Sequence, residues 1–388
     1  MQPTAGTAAS RRTLRAVLVS GIYPPDVGGP ATHVVDLADA LTERGHAVSV
    51  LTLWDGRGTD RTQALVRFPR RWPWAGRAAA VVGWLVRHRA RYDVVYATGM
   101  QAEAVLGARL ARRPVIVKIV GDPAWERGRR RGVTAQEFDE FQQSPSDGLA
   151  GRAMRTVRDW SVRAATRVIA PSEYLARCVE AWRGRADVSV IPNGVRAWAG
   201  RQREAPDAAG LRQVVVVSRL TGHKRIDVVI EAVARTDDVR LEVLGDGPER
   251  QRLEDLRDRL GLASRVAFAG NVAHDEVMAR LAEADALLSA SSYEGLPHVA
   301  IEALTVGTPV ITSAAGGIRE VLEDGTGGII VEPATAEAFA LVLGQLRSDP
   351  ERLRRLRDGA RLLGSRWCFS SCADRVEDLL LDSASGAR

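Results

Sequence analysis

Short apolar runs alternate with helix-spaced apolar residues along this chain, and the alternation starts twice. Residues 15–20 read as a strand, a Gly/Pro loop follows at 21–30, and residues 32–44 carry Val34, Leu37, Ala38 and Leu41 at helix spacing. Gly45 suits the position just past a helix end. Further strands are expected at 47–52, 94–97, 115–120, 167–170 and 188–191. The second series opens with a strand at 214–218 and a helix marked by Ile226, Val229, Ile230 and Val233. Strands at 241–244, 266–269 and 286–289 then alternate with helices at 249–260 and 275–282. Repeated βα units pack as a parallel sheet with helices on both faces, so the expected fold class is α/β with two doubly wound, Rossmann-like domains.

A length of 388 residues fits two such domains. Between Asn193 and Gln213 the chain is polar, rich in Gly, Ala and Pro, and without periodicity, which places the division there. The expected domains are 1–200 and 201–365, with a C-terminal helix in 366–388. The apolar stretch at 16–19 is too short for a signal-peptide core. The longest apolar run, 78–86, falls short of the roughly 20 residues a bilayer-spanning helix needs. Three cysteines, Cys178, Cys368 and Cys372, do not make a disulfide framework and point to a reducing compartment. The net charge of +6 favours an anionic partner, whether nucleic acid, nucleotide phosphate or an anionic membrane surface.

The segment 291–333, SSYEGLPHVAIEALTVGTPVITSAAGGIREVLEDGTGGIIVEP, carries the densest chemistry. Glu294 and Glu302 flank a short apolar helix pattern, with Pro297 expected at the first helical position and Gly307 at its stop. Backbone N–H groups around Gly295 and Leu296 then lie at a helix N-terminus, which favours anions. Two carboxylates beside such a site suit a ligand that has both hydroxyls and phosphates. In VSRLTGHKRID, Arg219 and Lys224 follow a strand directly, at the edge that faces the ligand crevice of an open α/β sheet. Two cations there can neutralise a leaving diphosphate without a metal. In YPPDVGGPATH, Gly28 and Gly29 permit close backbone approach to a ligand at the start of a helix. That run is not the G-x-G-x-x-G dinucleotide fingerprint.

The segment 291–333 resembles the E-x7-E signature of glycosyltransferase family 4, the retaining enzymes of GT-B fold. Thr308-Pro309-Val310, Gly316-Gly317, Glu320, Gly325 and Gly328 fall where that family has them. The resemblance implies two domains facing each other across a cleft. The acceptor binds the first, a nucleotide sugar the second, and the C-terminal helix crosses back. It implies that Arg219 and Lys224 bind the donor phosphates, that Glu294 lies near the transferred sugar and that Glu302 contacts the ribose hydroxyls. It also implies that Gly28 and Gly29 lie against the diphosphate. Asp246 in the GDGP turn and Asn271-Val272 are expected to border the base, or else to be polar turns alone.

One departure concerns the strand end VIVKIVGD. Many family members carry His-Gly there, and this chain has Val120-Gly121 followed by Asp122. Asp122 is a candidate for an acceptor-side catalytic role, or a cap for the turn that follows. The stretch 67–92 is basic and holds Trp72, Trp74 and Trp84, which suits either a core helix with a solvated basic end or an anionic membrane interface.

The expected function is a retaining, metal-independent glycosyltransferase. It would move a sugar from a nucleotide-diphosphate sugar to a hydroxyl acceptor in cell-surface polysaccharide or glycolipid assembly. Alternatives are glycosylation of a soluble metabolite, a nucleotide-sugar 2-epimerase on the same fold, and an idle sugar-nucleotide-binding protein. No cofactor and no nucleic-acid partner are expected. The acceptor is a sugar, a lipid-linked sugar or a small molecule. The expected location is the cytoplasm, with peripheral contact to the inner membrane face.

Overall fold

The structure, a computed structural model, describes residues 13–26, 28–56, 64–200 and 210–386. The first sheet contains β1 (Arg15–Ser20), β2 (Ala47–Trp54), β3 (Ala64–Pro69), β4 (Val94–Ala97), β5 (Val115–Lys118), β6 (Arg167–Ala170) and β7 (Val188–Val190). Its order is β3-β2-β1-β4-β5-β6-β7. The second contains β8 (Gln213–Val217), β9 (Arg240–Leu244), β10 (Val266–Gly270), β11 (Ala286–Ser289), β12 (Val310–Ser313) and β13 (Gly328–Val331), in the order β10-β9-β8-β11-β12-β13. The pairs from β3 to β6 run parallel, as do all pairs of the second sheet. This is the doubly wound α/β architecture that the βα alternation predicts, met twice.

Parallel strands buried on both faces read as continuous apolar runs rather than alternating ones. β4 (VVYA) and β12 (VITS) are such runs, buried at every position. In the second sheet successive side chains serve opposite faces. Val214 and Val216 join one core with Val229, Val233 and Leu343, whereas Val215 joins another with Leu281, Ile301 and Leu304. Each such fully buried side chain contributes roughly 1.5–3 kcal/mol.

By contact density the chain divides into two compact units. The first takes the chain up to Lys118, together with Asp159–Ile169 and the residues from Ala373 onward; the second takes Ile119–Arg158 and Ala170–Cys372. In the part of the helix Phe369–Ser385 that belongs to the first unit, Glu377 accepts from Arg44 Nη1 at 2.5 Å and pairs with His46 Nε2 at 3.0 Å.

Several element bounds differ from expectation. β5 ends at Lys118, short of residue 120, and the helix expected from residue 32 starts at Gly29. β3 overlaps the start of the stretch read as basic and Trp-rich and was not anticipated, whereas the helix Trp74–Arg87 is the core helix that one reading of that stretch gave. β3 is an edge strand, only partly buried, and edge position tolerates its terminal Pro69. The helix Trp74–Arg87 turns Val81 and Leu85 inward, and Leu85 packs against Gly107 so closely that a Cβ there would overlap it. Its N-terminal end is more open: Trp72 and Trp74 are 42% and 57% exposed, and Trp74 Nε1 donates to Glu103. Among the described residues no helix is long and apolar enough to cross a membrane.

Candidate functional site

In the second sheet the order reverses between β8 and β11, the switch point at whose C-terminal strand ends open α/β sheets bind their ligands. Arg219 and Lys224 lie on the loop after β8, and Glu294 lies on the loop after β11. The structure brings Lys224 and Glu294 together: Nζ donates to Oε1 at 2.6 Å, with both side chains under one fifth exposed. Ser292 N donates to the carbonyl of His223 at 2.8 Å, a second tie between the loops. Arg219 is exposed and makes no ion pair among the described residues, so its guanidinium is free for an anionic ligand. His223 is pushed down to about 4 by burial and then by Lys224, so its imidazole is neutral near pH 7.

Glycines bring this backbone together. Gly316 has φ of +55°, and a Cβ there would overlap the carbonyl of Glu294; the Gly317 N–H donates to that same carbonyl at 3.1 Å. The Gly295 carbonyl accepts from Ser172 Oγ at 2.6 Å, and a side chain on Gly295 would strike the Val120 carbonyl. Glu320 accepts from the N–H groups of Glu173 and Tyr174 at 2.7 and 2.8 Å and so caps the helix Glu173–Arg183.

Pro297 is the cap before the helix His298–Thr305, not its first residue, and Leu296 is buried beside it. Gly307 follows the helix with φ of +78°, the left-handed stop expected there. Glu302, 6% exposed, sits between His298 Nε2 at 3.3 Å and His274 Nδ1 at 3.7 Å. Sequence reading did not place His274 there; it lies on another element and no motif marks it.

Asp246 stands in the turn after β9, where its Oδ1 accepts from Gly247 N at 2.7 Å, and its carbonyl accepts from Leu220 N at 3.0 Å. The turn after β9 is thereby tied to the loop that carries Arg219. Val272 is half-buried against the core of the second unit. Gly28 and Gly29 belong to the first unit, at the N-terminus of the helix Gly29–Glu43 after β1.

Asp122 has the geometry of the cap. It is fully buried, its Oδ1 accepts from Ala124 N at 2.8 Å and Trp125 N at 3.2 Å, and its Oδ2 accepts from Gln142 Nε2 at 2.9 Å and Arg158 Nη1 at 2.5 Å. A carboxylate with that many donors has no oxygen left for a substrate proton. Arg158 in turn stacks on Trp182 at 4.1 Å.

The helix that Asp122 caps, Pro123–Arg130, carries Glu126, which sequence reading passed over. The residue as a whole is exposed, yet its carboxyl is crowded by protein. Loss of solvation raises its pKa, the Asp122 charge adds to that, and Lys224, Arg130 and Arg219 oppose it. The site therefore offers cations for phosphates and several carboxylates for hydroxyls.

Comparison with known proteins matches this chain along most of its length. Residues 27–197 match Glycosyltransferase Family 4 and residues 201–363 match Glycosyl transferases group 1. A glycogen synthase of Mycobacterium tuberculosis is 26% identical, over 97% of this chain and 96% of its own. Among solved structures, sucrose-phosphate synthase from Thermosynechococcus elongatus superposes with a TM-score of 0.79 at 20% identity, covering 96% of this chain and all of its own. HepE of Anabaena, solved in complex with UDP-glucose, gives 0.73 at 22% identity, over 95% of this chain and 99% of its own. These two likenesses show the fold.

Proposed function

Because this chain belongs to the group 1, family 4 glycosyltransferases of GT-B fold, we propose that it transfers a sugar with retention from a nucleotide-diphosphate sugar to a hydroxyl acceptor. The observation that carries the reading is the Lys224–Glu294 pair at the β8/β11 switch point, with Arg219 free beside it. In that mechanism the bond between the anomeric carbon and the diphosphate oxygen breaks as the acceptor oxygen bonds to the same carbon. The acceptor proton passes to the leaving diphosphate, so no strong protein base is needed. Arg219 and Lys224 offset the charge that develops on the diphosphate, the kind of aimed electrostatics that dominates many rate enhancements. They fill the role a divalent metal takes in other transferases, so the reaction is metal-independent. Glu302 accepts hydrogen bonds from the ribose hydroxyls, and Glu294 orients the transferred sugar once phosphate engages Lys224.

A bound UDP-glucose in HepE supports a nucleotide-sugar donor. The acceptor is a lipid-linked or surface glycan, and the exposed Trp72 and Trp74 with neighbouring arginines suit an anionic membrane face.

The test is nucleotide release from a panel of UDP-, GDP-, ADP- and dTDP-sugars in EDTA, with and without membrane lipid extract. Release from one donor, raised by the extract, is expected. Absence of both release and nucleotide binding across the panel overturns the reading.

A further inference from the structure

We propose that Glu126 and Tyr293 form a clamp for one ring hydroxyl of a sugar at the reaction centre: the sugar O–H donates to the Glu126 carboxylate and the Tyr293 O–H donates to the sugar oxygen. The inference rests on the sugar-transfer reading above and adds two residues to it.

Glu126 and Tyr293 come from distant parts of the chain and converge on Gly121. A Cβ on Gly121 would overlap Glu126 Oε1, and the Tyr293 hydroxyl lies 3.6 Å from the same point. A side chain at Gly121 would displace the carboxylate, which is the far end of a flexible side chain. The two groups are close but not bonded to each other. The Tyr293 hydroxyl is buried and has no hydrogen-bond partner, although the residue is only 5% exposed. A buried hydroxyl without a partner costs about 1–3 kcal/mol, and it needs a reason. Glu126 has no ion pair or side-chain hydrogen bond among the described residues, and the residue is exposed although its carboxyl is crowded by protein. The Tyr293 hydroxyl is a donor without an acceptor and the Glu126 carboxylate an acceptor without a protein donor, and one sugar hydroxyl can engage both.

The surroundings hold the Tyr293 ring and the helix that carries Glu126. The Tyr293 ring stacks on Phe138 with centroids 3.8 Å apart and meets Trp125 edge-on at 5.2 Å, so its hydroxyl is not free to swing away. Asp122 caps the helix that carries Glu126. Tyr293 immediately precedes Glu294, whose carboxylate holds Lys224. The charges of Lys224, Arg130 and Arg219 oppose the rise that desolvation gives the Glu126 pKa. A hydroxyl between Glu126 and Tyr293 therefore belongs to a sugar beside the diphosphate assigned to Arg219 and Lys224, either the one being transferred or the one receiving it.

The test compares E126Q, E126A and Y293F with the wild-type chain, using the donor that the wild type cleaves and the matching nucleoside diphosphate. A wild type that neither cleaves nor binds any donor refutes the parent reading rather than the clamp. With an active wild type, E126A should lower kcat/KM by about tenfold or more, the scale of one hydrogen bond to a charged group. E126Q should recover part of that loss, and Y293F should lose less than E126A. Affinity for the nucleoside diphosphate should stay within about twofold in all three. If the transferred sugar is held, hydrolysis of the donor without acceptor falls in the same proportion. If the acceptor is held, that hydrolysis persists and acceptor KM rises. Wild-type kcat/KM in E126A and Y293F, with unchanged melting temperature, overturns the clamp. So does a loss that follows diphosphate affinity.

Discussion

The two sheets share one strand order, yet their switch points are built differently. Between β1 and β4 the loops close on backbone: a Cβ on Gly99 would meet the Gly21 nitrogen, and the Thr98 N–H donates to the Val19 carbonyl at 2.9 Å. The carboxylate on the loop after β1, Asp26, is held by Arg70. Between β8 and β11 a backbone bond, Ser292 N–H to the His223 carbonyl, is joined by a charged pair, Lys224 and Glu294, with Arg219 exposed on the same loop as Lys224. Topology makes a crevice in each case; the side chains on its lips decide what it can bind. Phosphate chemistry is assigned to the second.

Substitutions in the two crevices sharpen that contrast. K224A should have the largest effect, a fall of about a hundredfold or more in nucleotide release, because one aimed charge is removed from the leaving group. The same assay should leave R70A, beside the β1 loop, within about threefold of wild type. Equal losses in the two variants would break the asymmetry. G316A comes next and acts on stability: a left-handed residue whose Cβ meets the Glu294 carbonyl should cost about 2–3 kcal/mol by denaturant titration. G132A, with φ of +67° and open space around it, should cost about 1 kcal/mol. For E302A, calorimetry should show nucleoside diphosphate binding weakened by about tenfold, as expected for lost hydrogen bonds to a carboxylate.

The smallest effect concerns pH. The pKa of Glu126 is raised in the folded chain, first by desolvation. The folded state then keeps a proton that the unfolded state releases, so this group contributes stability below the ordinary glutamate value and loses it as pH rises through the raised one. E126Q should accordingly melt slightly higher than wild type above that window, by less than about 3 °C, and match it at acid pH. A variant less stable at neutral pH would contradict a desolvated carboxyl.

Much of this architecture is legible in local pattern. The strands at 94–97, 167–170 and 286–289 have the bounds the apolar runs imply. Those runs are short and buried on both faces, so little competes with their signal. β3 was missed because an edge strand is only partly buried and carries Arg67 within its run. In the site, Lys224 and Glu294 can be anticipated because strand ends in a doubly wound sheet are set by sequence order. Glu126, Tyr293 and His274 cannot. Their importance depends on which distant residues they meet, and such meetings leave no spacing in the chain. Asp122 shows the same limit in reverse: an aspartate before a proline reads equally as cap or catalyst, and only its four donors decide it.

The central claim is that a nucleotide sugar engages the loops after β8 and β11. Hydrogen exchange with and without the nucleoside diphosphate of the cleaved donor tests it most directly. The account predicts the strongest protection in the residues around Arg219–Lys224 and Glu294–Glu302, with less around Gly28. Protection confined to the loops of the first sheet, with none at 219–224 or 294–302, would contradict it.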